Sequence, residues 1–435
     1  MNKNEFALTP PMGWNSWDCY GAAVTEKELL QNADYMAENL KEFGWEYIVC
    51  DIQWYEPAAD SSHYRKFADI CMDEYGRAVP APNRFPSAAE GGFKKIADYI
   101  HEKGLKFGIH IMRGIPRQAV AKNTPVKGTP YTARDIAHPF SICCWNTDMY
   151  GVDTTKPGAQ EYYNSIIELY ASWGVDFIKV DDICVKYGRP NDESTIAYGG
   201  DEIEMLRAAI DTCGRPIVLS LSPGPAMLDK AEHLSRNANM WRITNDFWDR
   251  WTDIMEMFDR CHEWSPYVAP GCFPDCDMLP LGHLSIKGCE HGLGERQTLL
   301  SKEEQRTMLT LWCIFRSPLM LGCELTDMDS WTKSLVTNPE VLSLLKKGKN
   351  ARQVLRSFDL ILWKAEDQIE GNIYAAVFNT ADWEERFSVN LEKLGIEGKA
   401  ALRDMWERRN LGEVETNITV TLKAHDAKLF KLSVK

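Results

Sequence analysis

Two carboxylates carry the most chemical promise in this sequence. Asp181 closes the run Gly174-Val-Asp-Phe-Ile-Lys-Val-Asp181, in which an apolar stretch leads into Lys179 and then into the pair Asp181 and Asp182. Lys179 and Asp181 are two residues apart, so on a strand both side chains project to the same side. A neighbouring ammonium favours the ionised carboxylate, as a nucleophile needs. A structural Lys–Asp pair or a metal ligand would satisfy the same spacing. Asp246 lies four residues after Arg242 in Met240-Trp-Arg-Ile-Thr-Asn-Asp246. It suits a general acid beside a guanidinium, and equally a helix N-cap ahead of the Trp-rich segment. Two carboxylates brought from different strands into one cleft are what glycoside hydrolysis requires. One attacks the anomeric carbon, while the other protonates the leaving oxygen and then activates water. Two other readings stay open. One is a metal-dependent hydrolase built on Asp51, His110, Asp181 and Asp182. The other is an inactive sugar binder, against which the presence of both Asp181 and Asp246 argues.

These residues need a scaffold that gathers strand ends. Apolar runs at 47–50, 106–111, 175–180, 216–221 and 240–244 predict strands buried on both faces. Amphipathic segments at 26–43, 92–103 and 159–173 predict helices, each followed by a glycine stop at Gly44, Gly104 and Gly174. No glycine-rich phosphate fingerprint follows the first strand, which disfavours a dinucleotide fold. Polar residues recur instead at many strand ends: Trp17, Asp51, His110, Asp181, Ser222 and Asp246. That rim is where a closed barrel carries its chemistry. The expectation is an α/β chain with a (β/α)8 TIM barrel over 1–350. Strand signals then dominate at 360–363, 373–379, 387–390, 418–422 and 428–432. They predict a small C-terminal antiparallel β-sandwich domain over 351–435 that packs on the barrel and stabilises it. Sugar recognition favours aromatic platforms, and Trp14, Trp17, Trp54, Trp145 and Trp241 fall near expected rim positions, although core packing is the ordinary fate of tryptophan.

Composition narrows the function classes. The 435 residues are 44% hydrophobic and 26% charged, which is ordinary for a globular protein and excludes disorder. A net charge of −14 without a Lys/Arg cluster argues against nucleic-acid and anionic-membrane partners. No apolar run approaches the roughly 18 residues of a membrane span. The opening Met-Asn-Lys-Asn-Glu-Phe lacks an apolar signal core, so a cytoplasmic location is expected. Thirteen cysteines, an odd number without a Cys-x-x-Cys pair, predict reduced buried thiols and no cysteine-based zinc site.

The stretch Leu8-Thr-Pro-Pro-Met-Gly-Trp-Asn-Ser-Trp17 resembles the opening of glycoside hydrolase family 27, the α-galactosidase and α-N-acetylgalactosaminidase family. Further similar blocks follow in family order. They are Gly76-Arg77 with Asn83-Arg-Phe-Pro86, His101 to Ile109, Gly174 to Asp181, Trp241-Arg242 with Asp246, Pro274-Asp-Cys-Asp-Met-Leu279, and Ser317-Pro-Leu-Met-Leu-Gly322. Leu402-Arg-Asp-Met-Trp406 and Ala424-His425 resemble the family's C-terminal domain. The resemblance implies a (β/α)8 barrel and a retaining, exo-acting mechanism without metal or cofactor. It places the nucleophile on Asp181 and the acid/base on Asp246. Trp17, Asp51, Lys179 and Arg242 match positions that hold the terminal sugar, and Met278 matches one beside the pocket. Asp275 and Asp277 match supporting carboxylates. The implied partner is a terminal galacto-configured sugar of an oligosaccharide or glycoconjugate. Family barrels often pair, which leaves a homo-oligomer open.

Three departures bear on the substrate. The family usually ends its second strand with two adjacent carboxylates, which accept from the 4-OH and 6-OH of galactose. Here Asp51 is followed by Ile52. If Ile52 faces the C5 substituent, a buried hydroxyl there would lack a partner at a cost of about 1–3 kcal/mol. β-L-arabinopyranose has the same ring configuration and lacks that CH2OH group. Alternatively Ile52 points into the barrel wall and Gln53 or another polar group replaces the contact. Ser222 stands near the place of a Glu that meets the 2-OH and, with Ala226, echoes the N-acetylgalactosaminidases. His110 stands where a tyrosine is common. Arg113 and Arg117 could line the leaving-group side or pair with local carboxylates. The expected activity is hydrolysis of terminal α-D-galactosides, with β-L-arabinopyranosides and α-N-acetylgalactosaminides as alternatives.

Overall fold

The computed structural model describes residues 2–188, 196–289 and 292–434. Among the described residues, short apolar runs alternate with helices. They form eight parallel strands: β1 (Met12–Asn15), β2 (Tyr47–Cys50), β3 (Lys106–Met112), β4 (Phe177–Asp181), β5 (Val218–Leu221), β6 (Met240–Arg242), β7 (Phe273–Asp275) and β8 (Leu319–Leu321). They pair in the order β7-β6-β5-β4-β3-β2-β1-β8. The two end strands are joined through Leu279, which bridges Leu321 in parallel and donates its N–H to the Met320 carbonyl at 2.7 Å. The sheet therefore curls into a barrel.

Alternation along each strand divides two cores. Tyr47, Val49, Phe177, Val218, Met240, Phe273 and Met320 fill the lumen. Ile48, Cys50, Ile178, Val180, Leu219, Leu221, Trp241 and Leu321 face the helix layer. That layer comprises α1 (Glu26–Asn39), α2 (Lys94–Glu102), α3 (Ala159–Ser172), α4 (Gly200–Thr212), α5 (Ala231–Asn237), α6 (Trp251–Trp264), α7 (Lys302–Phe315), α8 (Ser330–Val336) and α9 (Pro339–Lys347). The predicted first helix, 26–43, is broken. It starts at a Thr25/Glu28 capping box, ends at Asn39, and gives way to a 3₁₀ turn that closes at Gly44 with φ of 102°. The expected strands at 175–180 and 216–221 begin two residues later, and the 240–244 run stops at Arg242.

The chain then builds β9 (Gly348–Ser357), β10 (Leu360–Asp367), β11 (Ile373–Asn379), β12 (Glu385–Asn390), β13 (Ala400–Asp404), β14 (Arg409–Val414), β15 (Asn417–Leu422) and β16 (Ala427–Val434). A six-stranded antiparallel sheet runs β9-β10-β11-β16-β13-β14, and β12 pairs with β15. One face of the large sheet shares a core with the small one through Leu362, Val377, Val389, Ile418 and Leu432. The other face, with Ile361, Trp363, Ala376, Phe378 and Leu429, joins the barrel's own core. This is the expected C-terminal sandwich. The rings of Phe258 on α6 and Phe378 meet at 5.0 Å, and those of Phe315 on α7 and Trp363 at 6.3 Å. Arg306 pairs with Asp426 at 2.8 Å. All thirteen cysteines are free thiols. No helix among the described residues is long and apolar enough to cross a membrane. Because Phe378 is fully buried against α6, Phe378→Ala is expected to cost about 3–5 kcal/mol. A lower urea midpoint for loss of enzymatic activity, not only for the sandwich's own signal, checks that the barrel depends on this contact.

Candidate active site

The two-residue period of β4 stacks Phe177, Lys179 and Asp181 towards one side, from the apolar lumen up to the mouth. Lys179 Nζ lies 3.1 Å from Asp51 Oδ2, which also accepts from Asn15 Nδ2 at 2.7 Å. The other Asp51 oxygen accepts the Ile52 N–H at 2.8 Å. Burial alone would raise the Asp51 carboxyl, but Lys179, His110 and these donors hold it below its ordinary value. His110 Nε2 meets Asp181 Oδ2 at 3.1 Å, and the Asp182 N–H donates to Asp181 Oδ1 at 2.8 Å. Burial opposes ionisation of Asp181 too. The His110 hydrogen bond, Lys179 and Arg242 overcome it and hold this carboxyl well below the usual range. In return Asp51 and Asp181 raise Lys179 against the effect of its burial. Asp181 is thus a carboxylate oriented by two hydrogen bonds, with its charged form favoured.

Arg242 ends β6, one strand beyond β5 from β4. Its Nη2 lies 2.6 Å from Asp246 Oδ1 and its Nη1 3.4 Å from Asp277 Oδ2. Asp246 is 66% exposed on its side chain, whereas Arg242 is buried. The predicted N-cap role of Asp246 is not seen: α6 begins at Trp251, with Arg250 at the cap. Asp277 Oδ2 also accepts the Phe247 N–H at 2.9 Å, and the Asp277 N–H donates to Asp275 Oδ1 at 3.0 Å. Burial, followed by the charge of Asp277, pushes Asp275 up to about 7. Burial raises Asp277 as well, with Arg242 opposing. Lys179, Ser222, Arg242, Asp275, Asp277 and Met278 all line one small cavity above the lumen.

The remaining expected residues divide. Trp17 stacks on Tyr64 at 5.9 Å, and Tyr64 meets Trp145 at 5.5 Å, so Trp17 and Trp145 belong to one aromatic wall. Trp14, Trp54 and Trp241 do not reach the mouth. They are fully buried in the outer core, where Trp14 and Trp54 donate to the carbonyls of Cys323 and His110 at 2.7 Å. Ile52 is 1% exposed and packed among core side chains. Gln53 is buried, and its Nε2 donates to Asp148 Oδ2 at 3.0 Å. Ser222 is buried, and its Oγ reaches the Val180 carbonyl at 3.4 Å. Arg113 pairs with Asp182 at 2.8 Å and Glu202 at 3.3 Å, and Arg117 lies 4.4 Å from the centre of the Tyr150 ring. Asp182 turns to Arg113, so the set Asp51, His110, Asp181 and Asp182 does not converge as a metal reading requires. No group of three or more His, Cys, Asp or Glu among the described residues is gathered for a metal ion.

Sequence reasoning missed three contributors. Asn15 holds Asp51 and accepts the Trp17 N–H at 2.9 Å. Ser16 Oγ accepts the Asp51 N–H at 3.0 Å. Asp18 is buried with Oδ2 unpartnered and its carboxyl raised by burial and then by Asp277. Their signal was the polar cluster Trp14-Asn-Ser-Trp-Asp18 at the end of a strand too short to detect by periodicity.

The Asp275 shift has a stability consequence. Its folded value, about 7, lies above the unfolded reference of 3.8. Its stabilising proton is therefore fully effective below the lower value and is lost as pH rises through the upper one. Asp275→Asn, which keeps an acceptor for the Asp277 N–H, is expected to gain stability relative to the parent between these two values, with the gain level above them. Thermal melts across that range check it; a pH-independent difference would overturn it.

Residues 9–155 and 147–347 match the family described as alpha galactosidase A, and residues 357–432 match the alpha galactosidase C-terminal beta sandwich domain. The structure is similar to that of a family 27 β-L-arabinopyranosidase from Geobacillus stearothermophilus, with TM-score 0.96 and 56% identity over 100% of this chain and 98% of that one. A candidate α-N-acetylgalactosaminidase from Bacillus halodurans gives 0.88 and 51% over 98% of each chain. Alpha-galactosidase 2 of Arabidopsis thaliana is 26% identical over 435 residues, 99% of this chain and 91% of its own length. With both domains matched in order and relatives above half identity over its full length, the chain belongs to glycoside hydrolase family 27 and is a glycosidase.

Proposed function

We propose that this glycosidase is a retaining, exo-acting β-L-arabinopyranosidase. The observation that carries the reading is Ile52: a buried branched alkyl group beside Asp51, where the family usually has a second carboxylate. An alkyl side chain at this position offers no acceptor to a 6-OH, and a pentopyranose needs none. The similarity at 56% identity to the Geobacillus stearothermophilus arabinopyranosidase supports it. α-D-galactoside remains the activity named for relatives near 26% identity. Ser222 and the Bacillus halodurans relative favour α-N-acetylgalactosaminide as a second reading. The same reading takes residues 1–350 as the catalytic barrel and 351–435 as the supporting sandwich.

In this mechanism an Asp181 oxygen attacks C1 and the bond from C1 to the leaving oxygen breaks. The Asp246 proton passes to that oxygen, and the alcohol departs from a covalent glycosyl-enzyme. Water then gives its proton to Asp246 and bonds to C1 as the Asp181 ester breaks. His110 orients the nucleophile. Lys179, Asp51 and Arg242 hold ring hydroxyls, Trp17 presents an apolar face, and Ser222 and Met278 close the pocket.

The test compares kcat/KM on aryl β-L-arabinopyranoside, α-D-galactopyranoside and α-N-acetylgalactosaminide, with Asp181→Ala as the blank. Preference for the arabinoside by about tenfold or more, roughly 1.4 kcal/mol, is expected; preference for either other sugar overturns it. Ile52→Asp should move the galactoside-to-arabinoside ratio up by about tenfold, as restoring one buried acceptor requires.

A further inference from the structure

We infer that Arg296, on the loop between β7 and α7, is a positioning residue for Asp246. The inference rests on the proposal that Asp246 is the acid/base. Asp246 lies in the irregular segment between Arg242, the end of β6, and Trp251, the start of α6. Its carboxylate is mostly exposed and its ion pair with Arg242 can hold only the tip. Two buried anchors fix the backbone beside it. One is the Phe247 N–H on Asp277. The other is Asp249, three residues on, whose side chain is 1% exposed. Arg296 grips Asp249 with two bonds, Nη2 to Oδ1 at 2.7 Å and Nε to Oδ2 at 3.1 Å, and the Leu299 N–H adds a third at 2.9 Å. The guanidinium also lies 5.6 Å from the centre of the Trp248 ring.

Arg296 is itself held rigidly. It pairs with Leu284 in a two-stranded ribbon, and its Nη1 donates to Ser285 Oγ at 2.9 Å. The Thr298 N–H donates to the Gly282 carbonyl at 2.7 Å, and the Ser285 N–H to the Asp18 carbonyl at 2.8 Å, next to Trp17. A forked, planar cation closing both oxygens of a buried carboxylate fixes direction as well as distance. Arg296 thereby transmits the frame of the β7–α7 ribbon to the loop that presents Asp246. Small misplacement of a catalytic proton donor is costly in rate.

Proton donation matters most when the leaving group is a poor one, and this gives a readout that a merely structural role would not move. Aryl glycosides of the preferred sugar, from dinitrophenyl to unsubstituted phenyl, are compared for the parent, Asp246→Ala, Arg296→Ala, Arg296→Lys and Asp249→Asn. Asp246→Ala should lose about a hundredfold more on the phenyl than on the dinitrophenyl glycoside, within the range of general-acid contributions. Arg296→Ala should show the same slope in weaker form, about tenfold, with its dinitrophenyl rate within a few-fold of the parent. Arg296→Lys should recover part of the loss. Asp249→Asn, which leaves one acceptor for the guanidinium, supplies the same comparison if Arg296→Ala fails to fold. Equal losses on all leaving groups in the Arg296 and Asp249 variants, beside a sloped Asp246→Ala, overturn this inference alone. A flat Asp246→Ala overturns the acid/base assignment and this inference with it.

Discussion

Charge balance at the barrel mouth is the constraint on which the site depends. Asp18, Asp51, Asp181, Asp275 and Asp277 are buried or nearly so, while Lys179 and Arg242 are the cations set among them. Two cations cannot compensate five anions in a medium that screens poorly. The structure resolves this by distributing partners unevenly. Asp51 and Asp181 receive Lys179, His110 and backbone donors, and they stay ionised. Asp18, Asp275 and Asp277 are raised, in each case first by burial. In one set the charged form is favoured for the cleft, and in the other burial shifts the balance toward the neutral form.

The fold makes that unevenness possible because β4 and β6 carry inward polar residues above an apolar plug. On β4, Lys179 sits one lumen step above Phe177; on β6, Arg242 sits above Met240. The lumen below is filled by apolar side chains. On the outside, the strands pack on helices, and the helices in turn press on one face of the C-terminal sheet. Among the described residues none of the sandwich lines the cavity, yet its Phe378 and Trp363 belong to the same continuous core as the strands that hold Lys179 and Arg242.

Much of this was legible in the sequence, and the physical reasons are specific. β2, β3, β4, β5 and β6 announced themselves as apolar runs, and the Lys179–Asp181 spacing carried its own geometry. β1, β7 and β8 are three or four residues long, and β1 and β7 also include glycine, proline or asparagine, so no periodicity could reveal them. Asn15 and Ser16 were lost with β1. Trp14, Trp54 and Trp241 were misjudged because a tryptophan at a strand end can turn outward, and one-dimensional spacing does not decide the side. The Asp249–Arg296 pair joins positions 47 residues apart, a separation at which sequence pattern says nothing.

The barrel's closure has a mechanical meaning. Seven of the eight seams are strand ladders, whereas the last is held at Leu279, immediately after Asp277 and Met278. A hoop under thermal load yields first at its thinnest link. The pocket floor is therefore mounted on the part of the ring with the least redundancy, and amide exchange at Leu279 becomes a gauge of how often the ring parts without unfolding.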